Sequence, residues 1–188
     1  QMETSRCNKK TPITNKEVIL VDKFDQIIAT AEKIHAHKQG LLHRAFSIFI
    51  VNNKNEVLMQ KRASSKYHCA DLWTNTCCSH AQYGQKTIET AAQRLRHEVG
   101  LASSLRHAGS FIYKEKLNNG LYEHELDHVF VGEIDKIISP PNPSEVSEIK
   151  WVGLDKIKDE FIKEPNKFTP WLMPALNIAI KYLHFQPK

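Results

Sequence analysis

Two short stretches of this chain carry side chains that could share one pocket. In residues 74–80, the thiol of Cys78 precedes the imidazole of His80 by two positions. Further along the chain, Glu123 and Glu125 are two carboxylates with the same spacing. In an extended strand, residues i and i+2 point to the same face, so each pair can aim both of its groups at one point. A thiol, an imidazole and two carboxylates that meet there could form a metal site beside an acid/base pair.

Five side chains are candidate metal ligands. They are His37, His43, His80, Glu123 and Glu125. Three nitrogens with carboxylate oxygens suit a divalent ion such as Mn²⁺, Mg²⁺ or Zn²⁺. His35 lies in the same short segment as His37, and spacing alone does not separate the two. Any one of these histidines, taken alone, is more simply interpreted as a core residue, because the spacing is not a closed metal-binding motif.

Cys78 and Glu125 are the candidates for bond-making chemistry. An unperturbed thiol has a pKa of about 8.5, so it is mostly protonated at neutral pH. A nucleophilic Cys78 would need a base such as His80, whereas a proton-donating Cys78 would be held as the thiol. The sequence permits both roles. We expect the adjacent Cys77 to be a small buried hydrophobe, because only one of two neighbouring strand residues can face the pocket.

Several charged residues suggest an anion near these groups. Arg94 and Glu98 are four residues apart on a predicted helix, which is the spacing of an ordinary surface ion pair. A functional interpretation places Glu98 on a metal and Arg94 beside an anion. Arg62 and Lys66 flank the segment that leads into the Cys/His run. Cationic side chains beside a metal are typical of a diphosphate site.

The hydrophobic pattern predicts the elements that position these residues. We expect strands at residues 17–21, 27–29, 45–51, 57–61, 107–116, 123–133 and 149–152, and helices at 87–99, 154–164 and 171–183. The turn at 52–55 predicts a hairpin, and Gly100 suits the end of the first helix. The fold class is therefore α+β, a mixed sheet flanked by helices. Residues 1–16 are predicted to be a flexible polar leader and 17–188 a single domain.

Composition limits the class of protein and its partners. The 188 residues include 41% hydrophobic and 25% charged residues, which is ordinary for a globular protein. A net charge of +5 permits nucleic acid as a partner, but the lysines are dispersed, and an anionic small substrate explains the charge equally well. No apolar run approaches the roughly 20 residues that span a bilayer, and no secretory signal begins the chain. We therefore expect a cytoplasmic protein that has no disulfide bonds and binds neither a membrane nor nucleic acid.

Six motifs, taken together, resemble the type 1 isopentenyl-diphosphate isomerase family. They are GLLHRAF (40–46), KRASSK (61–66), LWTNTCCSH (72–80), ETAAQRLRHEVG (89–100), YEHELDHVF (122–130) and TPW (169–171). The resemblance covers roughly residues 17–183. It implies a Nudix-type α/β/α sandwich and an enzyme of isoprenoid biosynthesis. The family interconverts isopentenyl and dimethylallyl diphosphate, moving a double bond by protonation and deprotonation through a carbocation.

The resemblance implies roles in catalysis. Cys78 and Glu125 would be the catalytic pair on opposite faces of the allyl unit, with Tyr113 assisting proton movement near Glu125. Trp171 would lie over the hydrocarbon end. Protonating an alkene creates a tertiary cation, and an indole face within about 6 Å stabilises a cation by up to about 2 kcal/mol. Read alone, Trp171 is a core aromatic residue.

The resemblance also implies the ligands and partners. One divalent metal, Mn²⁺, Mg²⁺ or Zn²⁺, would be held by His37, His43, His80, Glu123 and Glu125. A Mg²⁺ that arrives with the diphosphate would be held by Glu98. The diphosphate side would be lined by Lys33, Arg62, Lys66, Ser79 and Arg94. Because Lys33 precedes His37 by the family's four residues, His37 is favoured over His35. The protein would be a monomer or a weak homodimer.

The chain departs from the family pattern at two places, and its Nudix box is degenerate. Ala70 and Asp71 replace the usual Pro-Gly, and Ala81 replaces a proline, which puts loop rigidity in doubt. The box pairs read Gln93-Arg94 and His97-Glu98, and so few glutamates argue against a hydrolase. The alternatives are a Nudix hydrolase acting on a nucleoside diphosphate derivative and a metal-dependent nucleic-acid-binding module.

Overall fold

The computed structural model describes residues 16–185 and contains two main sheets and four α-helices. The strands are β1 (Glu17–Val21), β2 (Ile27–Glu32), β3 (His43–Ile50), β4 (Glu56–Arg62), β5 (Trp73–Thr74), β6 (Cys77–His80), β7 (Leu101–Ala102), β8 (Arg106–Lys116), β9 (Tyr122–Gly132), β10 (Lys136–Ile137) and β11 (Val146–Gly153). The helices are α1 (Lys33–Gln39), α2 (Thr87–Val99), α3 (Leu154–Lys163) and α4 (Leu172–His184), with a 3-10 turn at Pro165–Lys167.

The larger sheet sets the positions of the functional strands. Its order is β2-β1-β3-β9-β8, and β6 also pairs with β3. The pairing of β3 with β9 is parallel and places His43 beside Glu125. The antiparallel pairing of β3 with β6 places Ser47 beside Cys78. The smaller sheet has the order β11-β4-β5, and β7 pairs with β10 alone. The central strand β3 therefore carries the register that brings the Cys/His run close to the Glu-x-Glu pair.

Helices cover both faces of the larger sheet. On one face, Phe46 and Ile48 of β3 lie in a buried cluster with Leu95 of α2. On the other face, Phe49 lies in a buried cluster with Leu176 of α4. Alternate residues of β3 thus face opposite helices, as the period of a strand requires. This arrangement confirms the predicted α+β class and the α/β/α sandwich.

Most predicted elements are present in the structure, but the helix α1 and the short strands β5, β6, β7 and β10 were omitted. The first strand and the helix at 87–99 have the predicted bounds. Gly100 ends that helix with φ 76°, and its N–H donates to the carbonyls of Leu95 and Arg96. The helix α1 was not predicted, because seven residues are too few to display a helical period. It ends at Gly40 with φ 65°.

The predicted hairpin across residues 52–55 is wrong. The chain does turn there, and Asn55 adopts φ 56°. However, β3 and β4 join different sheets, and the turn is closed by the isolated bridge between Val51 and Val57 and by the N–H of Asn52, which donates to the carbonyl oxygen of Glu56. Both strands are buried along nearly their whole length. Continuous burial of this kind is typical of strands inside a sandwich, and composition does not show which neighbour such a strand pairs with.

Two further expectations can be compared with the structure. Cys69, Cys77 and Cys78 are free thiols, and Cys7 lies outside the described residues. Within residues 16–185, no helix is both long enough and apolar enough to span a bilayer. Apart from Lys16, the predicted polar leader lies outside the described residues.

Candidate active site

Most of the predicted site residues line one small cavity that opens to solvent. The predicted residues in its lining are Lys33, Arg62, Lys66, Cys78, Ser79, His80, Glu98, Glu125 and Trp171. The remaining predicted residues lie outside the lining and contact it or one another; they are His37, His43, Arg94, Tyr113 and Glu123.

Four buried side chains form a candidate metal centre at one end of the cavity. They are His37, His43, His80 and Glu125, and their ligand atoms lie within 4.8 Å of one another. The parallel register of β3 and β9 sets His43 beside Glu125, with 3.8 Å between His43 Nε2 and Glu125 Oε1. His80 reaches the same carboxylate from β6, at 3.7 Å. His37 comes from α1, where it is buried while His35 is exposed.

The protonation of two of these histidines fits a metal. His37 Nδ1 lies 2.7 Å from the carbonyl oxygen of Lys33, and His43 Nδ1 lies 2.8 Å from that of Leu41. A carbonyl oxygen only accepts hydrogen bonds, so each Nδ1 carries a proton, and in the neutral ring Nε2 keeps its lone pair. Both Nε2 atoms are buried and have no hydrogen-bond partner within residues 16–185. Leaving a buried polar group unpartnered costs about 1–3 kcal/mol, and a divalent cation would satisfy both nitrogens.

Glu123 lies beside this centre rather than within it. Its Oε1 is 3.6 Å from His37 Nε2 and 3.0 Å from His68 Nε2. His37, His68 and Glu123 form a second group of mutually close ligand atoms. The predicted five ligands are therefore gathered in one region, four of them tightly. His68 was not predicted, and nothing in its spacing distinguishes it from a loop residue.

The thiol of Cys78 is held in its protonated form. Burial raises the pKa of Cys78 to about 12, although the guanidinium of Arg62 opposes the shift. Arg62 Nη1 lies 3.7 Å from the sulfur and donates towards it. Burial also lowers the pKa of His80 well below its usual value. These shifts favour Cys78 as a proton carrier over Cys78 as a thiolate nucleophile paired with His80.

Glu125 and Tyr113 lie opposite each other on two neighbouring strands. The register of β8 and β9 pairs them directly, and the Tyr113 hydroxyl is buried without a partner among the described residues. Burial and the neighbouring carboxylate of Glu123 raise the pKa of Glu125 well above its usual value. Burial likewise raises the pKa of Tyr113. Both groups therefore hold protons tightly in the absence of a cation.

Trp171 is fixed by a buried polar network that sequence reasoning missed. Its Nε1 donates to Asn75 Oδ1 at 3.2 Å. Asn75 in turn donates to the carbonyl oxygens of Ile48 at 3.1 Å and Cys77 at 2.9 Å, so one amide orients the indole and the start of β6. The guanidinium of Arg62 lies 5.6 Å from the centre of the indole ring. The indole face can therefore receive a positive charge.

The other end of the cavity is cationic, and two of its cations are already paired with carboxylates. Lys66 Nζ lies 2.6 Å from Glu145 Oε2, and Arg94 contacts both Glu98 and Glu145. Burial, followed by the charges of Lys66, Arg62 and Arg94, lowers the pKa of Lys33 to about 8. The simple interpretation of Arg94 and Glu98 as a surface pair is wrong, because both are buried. Glu145 was not predicted; it follows the proline-rich loop at 140–143.

Glu98 has a different environment from the metal-centre carboxylate. Arg94 donates to its Oε1, and the thiol of Cys77 donates to its Oε2 at 3.0 Å. Cys77 is fully buried, as expected, but it also makes this polar contact. Both oxygens of Glu98 therefore have partners, and a Mg²⁺ there would have to share or displace them.

The two departures from the family pattern have local explanations. Asp71 adopts φ 62°, the left-handed region that favours glycine, and Ser64 Oγ donates to its carboxylate at 2.6 Å. The N–H of Ala81 donates to the carbonyl oxygen of Arg44 at 3.1 Å, a bond that proline could not make. At each position, a hydrogen bond restrains the loop where the family pattern has proline or glycine.

Asp127 is a further buried acid in the cavity lining. Ser47 Oγ donates to Asp127 Oδ2 at 2.8 Å, and burial raises the pKa of Asp127 to about 7. Asp127 follows Glu123 and Glu125 at two-residue steps on β9, so strand alternation could have identified it.

Sequence comparisons identify the family of this chain. The NUDIX domain family matches residues 41–172. The chain is 46% identical over 162 residues to isopentenyl-diphosphate Delta-isomerase 2 of Photorhabdus laumondii, which covers 85% of this chain and 90% of that protein. It is 43% identical over 160 residues to isopentenyl-diphosphate Delta-isomerase of Serratia proteamaculans, which covers 85% of this chain and 88% of that protein.

Solved structures match the fold. A Deinococcus radiodurans protein superposes with a TM-score of 0.67 at 16% identity, covering 87% of this chain and 98% of that one. A NUDIX hydrolase from Nitrosomonas europaea gives a TM-score of 0.59 at 15% identity, with 73% and 87% coverage. At such low identity, the likeness extends to the fold alone. On the sequence identities above, the chain belongs to the isopentenyl-diphosphate Delta-isomerase family, within the NUDIX domain fold.

Proposed function

We propose that this protein interconverts isopentenyl diphosphate and dimethylallyl diphosphate. The single observation that carries this proposal is the placement of two proton-holding groups, Cys78 and Glu125, in one cavity with a cationic end. An alkene isomerase needs a proton donor and a proton acceptor on one substrate, together with an anchor for the diphosphate. The relatives named above support the same reaction.

Cys78 and Glu125 would carry the proton between two carbons. Protonation of the terminal CH₂ of isopentenyl diphosphate forms a methyl group and a tertiary cation, and loss of a proton from the neighbouring carbon forms the new double bond. The reaction is reversible, so each residue gives a proton in one direction and takes it in the other. The protonated thiol of Cys78 is suited to this exchange. Tyr113, opposite Glu125, would assist the movement of the proton.

The histidine–carboxylate centre would hold a divalent cation. The candidate ligands are His37, His43, His80, Glu123 and Glu125, and their chemistry suits Mn²⁺, Mg²⁺ or Zn²⁺. A cation bound there would favour the ionised form of Glu125 and restrain its orientation. The unpartnered Nε2 atoms of His37 and His43 support this assignment.

Trp171 would protect the intermediate cation. Its indole face already lies 5.6 Å from the charged group of Arg62, which supports a role in receiving positive charge. A closed apolar surface would also keep water from trapping the cation as an alcohol.

The cationic end would bind the diphosphate. Lys33, Arg62, Lys66, Ser79 and Arg94 are the proposed contacts, and Glu98 would hold a Mg²⁺ that arrives with the substrate. In this proposal, Glu145 and Glu98 give up part of their ion pairing when the diphosphate binds. A cytoplasmic location and a monomeric or weakly dimeric state remain predictions.

The proposal is tested by assaying isomerisation and hydrolysis side by side. We expect conversion of isopentenyl diphosphate in the presence of Mg²⁺, stimulated in metal-stripped protein by added Mn²⁺ or Zn²⁺. We expect no phosphate release from a panel of nucleoside diphosphate derivatives. Strong phosphate release without isomerisation would replace this function with the hydrolase alternative. Full isomerase activity of exhaustively metal-free protein would contradict the proposed metal centre.

A further inference from the structure

We propose that His68 is a positioning residue for the metal centre, where its imidazole orients the carboxylate of Glu123. This inference rests on the metal centre of the proposed function. It adds a histidine that lies outside the five candidate ligands, in the loop between β4 and β5.

The contact between His68 and Glu123 is close and buried. His68 Nε2 lies 3.0 Å from Glu123 Oε1. His68 is 8% exposed and Glu123 is fully buried, so water does not mediate the contact. A lone pair on Nε2 would be repelled by the carboxylate at this distance, so a proton or a cation must accompany the contact. In the proposed arrangement the imidazole carries its proton on Nε2 and turns it toward the carboxylate.

His68 is itself held from several directions. Arg62 Nη2 donates to the carbonyl oxygen of His68 at 3.2 Å. The imidazole ring lies 4.3 Å from the ring of Tyr67 and 5.6 Å from the ring of His37, measured between centroids. The following residue, Cys69, adopts the left-handed φ of 50°. A side chain held on its backbone and on its ring can act as a fixed reference for Glu123.

The contact involves one oxygen of Glu123. His68 Nε2 faces Oε1 at 3.0 Å, and within residues 16–185 neither Oε1 nor Oε2 has a partner with hydrogen-bond geometry, so both can still receive one. A carboxylate held by one oxygen presents the other in a fixed direction. Groups that orient a ligand in this way commonly change metal affinity by roughly 10–100-fold when they are removed.

Three substitutions of His68 test this role through metal binding. In His68→Gln, the amide nitrogen occupies about the position of Nε2 and can still donate to Glu123. In His68→Asn, the amide nitrogen corresponds to Nδ1 and cannot reach it, and His68→Leu removes the donor. The exposed His35→Gln is the matched control. The measurement is the dissociation constant for Mn²⁺, by competition with a chelator, on metal-stripped protein whose melting temperature is recorded.

We expect His68→Leu and His68→Asn to weaken Mn²⁺ binding by roughly 10–100-fold. We expect His68→Gln to stay near wild type and His35→Gln to be unchanged. If His68→Leu does not fold, His68→Asn provides the same comparison. Wild-type affinity in both would overturn the positioning role. Equal weakening in His68→Gln and His68→Leu would also overturn it, because His68 would then be a ligand itself.

These outcomes can be separated from failure of the proposed function. If wild-type protein binds no Mn²⁺, both the metal centre and the role of His68 are contradicted. If wild-type protein binds Mn²⁺ and isomerises its substrate while every His68 variant binds Mn²⁺ equally well, only the role of His68 fails. The Co²⁺-loaded protein gives a second readout, because the visible spectrum of Co²⁺ should be the same in wild type and in His68→Gln if His68 is not a ligand.

Discussion

The two ends of the cavity differ in how their charges are balanced. At the histidine–carboxylate end, the Nε2 atoms of His37 and His43 are buried without partners among residues 16–185. At the cationic end, Lys66 and Arg94 are already paired with Glu145 and Glu98. The first end therefore lacks partners for its acceptor nitrogens. At the second end two cations already have carboxylate partners, although the Nε atoms of Arg62 and Arg94 are buried without a partner within residues 16–185.

The difference shows how each end can be used. Strand register fixes the histidine–carboxylate end, because β3, β6 and β9 supply most of its groups and move only with the sheet. The cationic end is held by ion pairs between side chains, and a diphosphate can take the place of a carboxylate as the anionic partner. The first end suits a resident ion and proton transfer, and the second suits a substrate that enters and leaves.

The largest effect is expected from removing the proton carriers. Cys78→Ala and Glu125→Gln should each lower kcat by roughly 10²–10⁴-fold, because general acid–base catalysis supplies about that much. The measurement is the rate of isomerisation, with the melting temperature as a check on folding. Cys69→Ser is the control, since Cys69 lies outside the cavity lining. Substantial turnover by Cys78→Ala would remove Cys78 from the proton path.

The next largest effect is expected from substituting Trp171. This substitution distinguishes stabilisation of the transition state from binding of the substrate. Trp171→Ala should lower kcat by about 30-fold, which corresponds to about 2 kcal/mol of cation stabilisation. KM should change little, because the carbocation forms only along the reaction path. Trp171→Phe should be intermediate, and the half-exposed Trp151→Ala is the control. A rise in KM alone would assign Trp171 to packing instead.

The cationic end should respond to pH through Lys33. Its pKa is lowered from 10.5 to about 8, so the ammonium loses its proton as the pH rises through that value. We expect kcat/KM to fall several-fold above that pH, because the free enzyme then has one positive charge fewer for the diphosphate. Lys33→Arg keeps its charge and should remove this part of the fall. A pH profile that is the same in both proteins would exclude Lys33 as its origin.

The smallest effect concerns the loop that joins the two ends. Asp71→Gly would relieve the left-handed backbone at φ 62° but would lose the bond from Ser64, so stability should change by less than about 1 kcal/mol. Asp71→Val cannot relieve the strain and should destabilise by about 1–2 kcal/mol or more. Urea unfolding at equilibrium measures both. A strongly destabilised Asp71→Gly would show that the Ser64 contact dominates.

The sequence predicted the strands and helices whose hydrophobic residues repeat with a regular local spacing. The strand at 17–21 and the helix at 87–99 follow from alternation and helical spacing. The failed hairpin depended on which strands pair, and that choice is made by packing between sheets rather than by the turn at 52–55. Pairing between distant strands is fixed by the whole core, so local composition does not determine it.

The candidate site was predicted where residue types are distinctive and missed where they are ordinary. The resemblance named Cys78, Glu125, His43 and His80 because they occur in recognisable motifs, and His37 because it follows Lys33 by four residues. Asn75 and His68 were missed, since their contacts with Trp171 and Glu123 join segments that are far apart in sequence. Asp127 could have been found, because it continues the two-residue steps of β9.

The central claim is that this cavity moves a proton across an alkene. The most direct measurement is an NMR experiment on the wild-type protein with isopentenyl diphosphate and Mg²⁺ in D₂O. We expect dimethylallyl diphosphate to form with deuterium in its methyl group, because the exchangeable acid of the enzyme supplies the incoming proton. Release of phosphate without a shift of the double bond, or product without deuterium from solvent, would contradict this account.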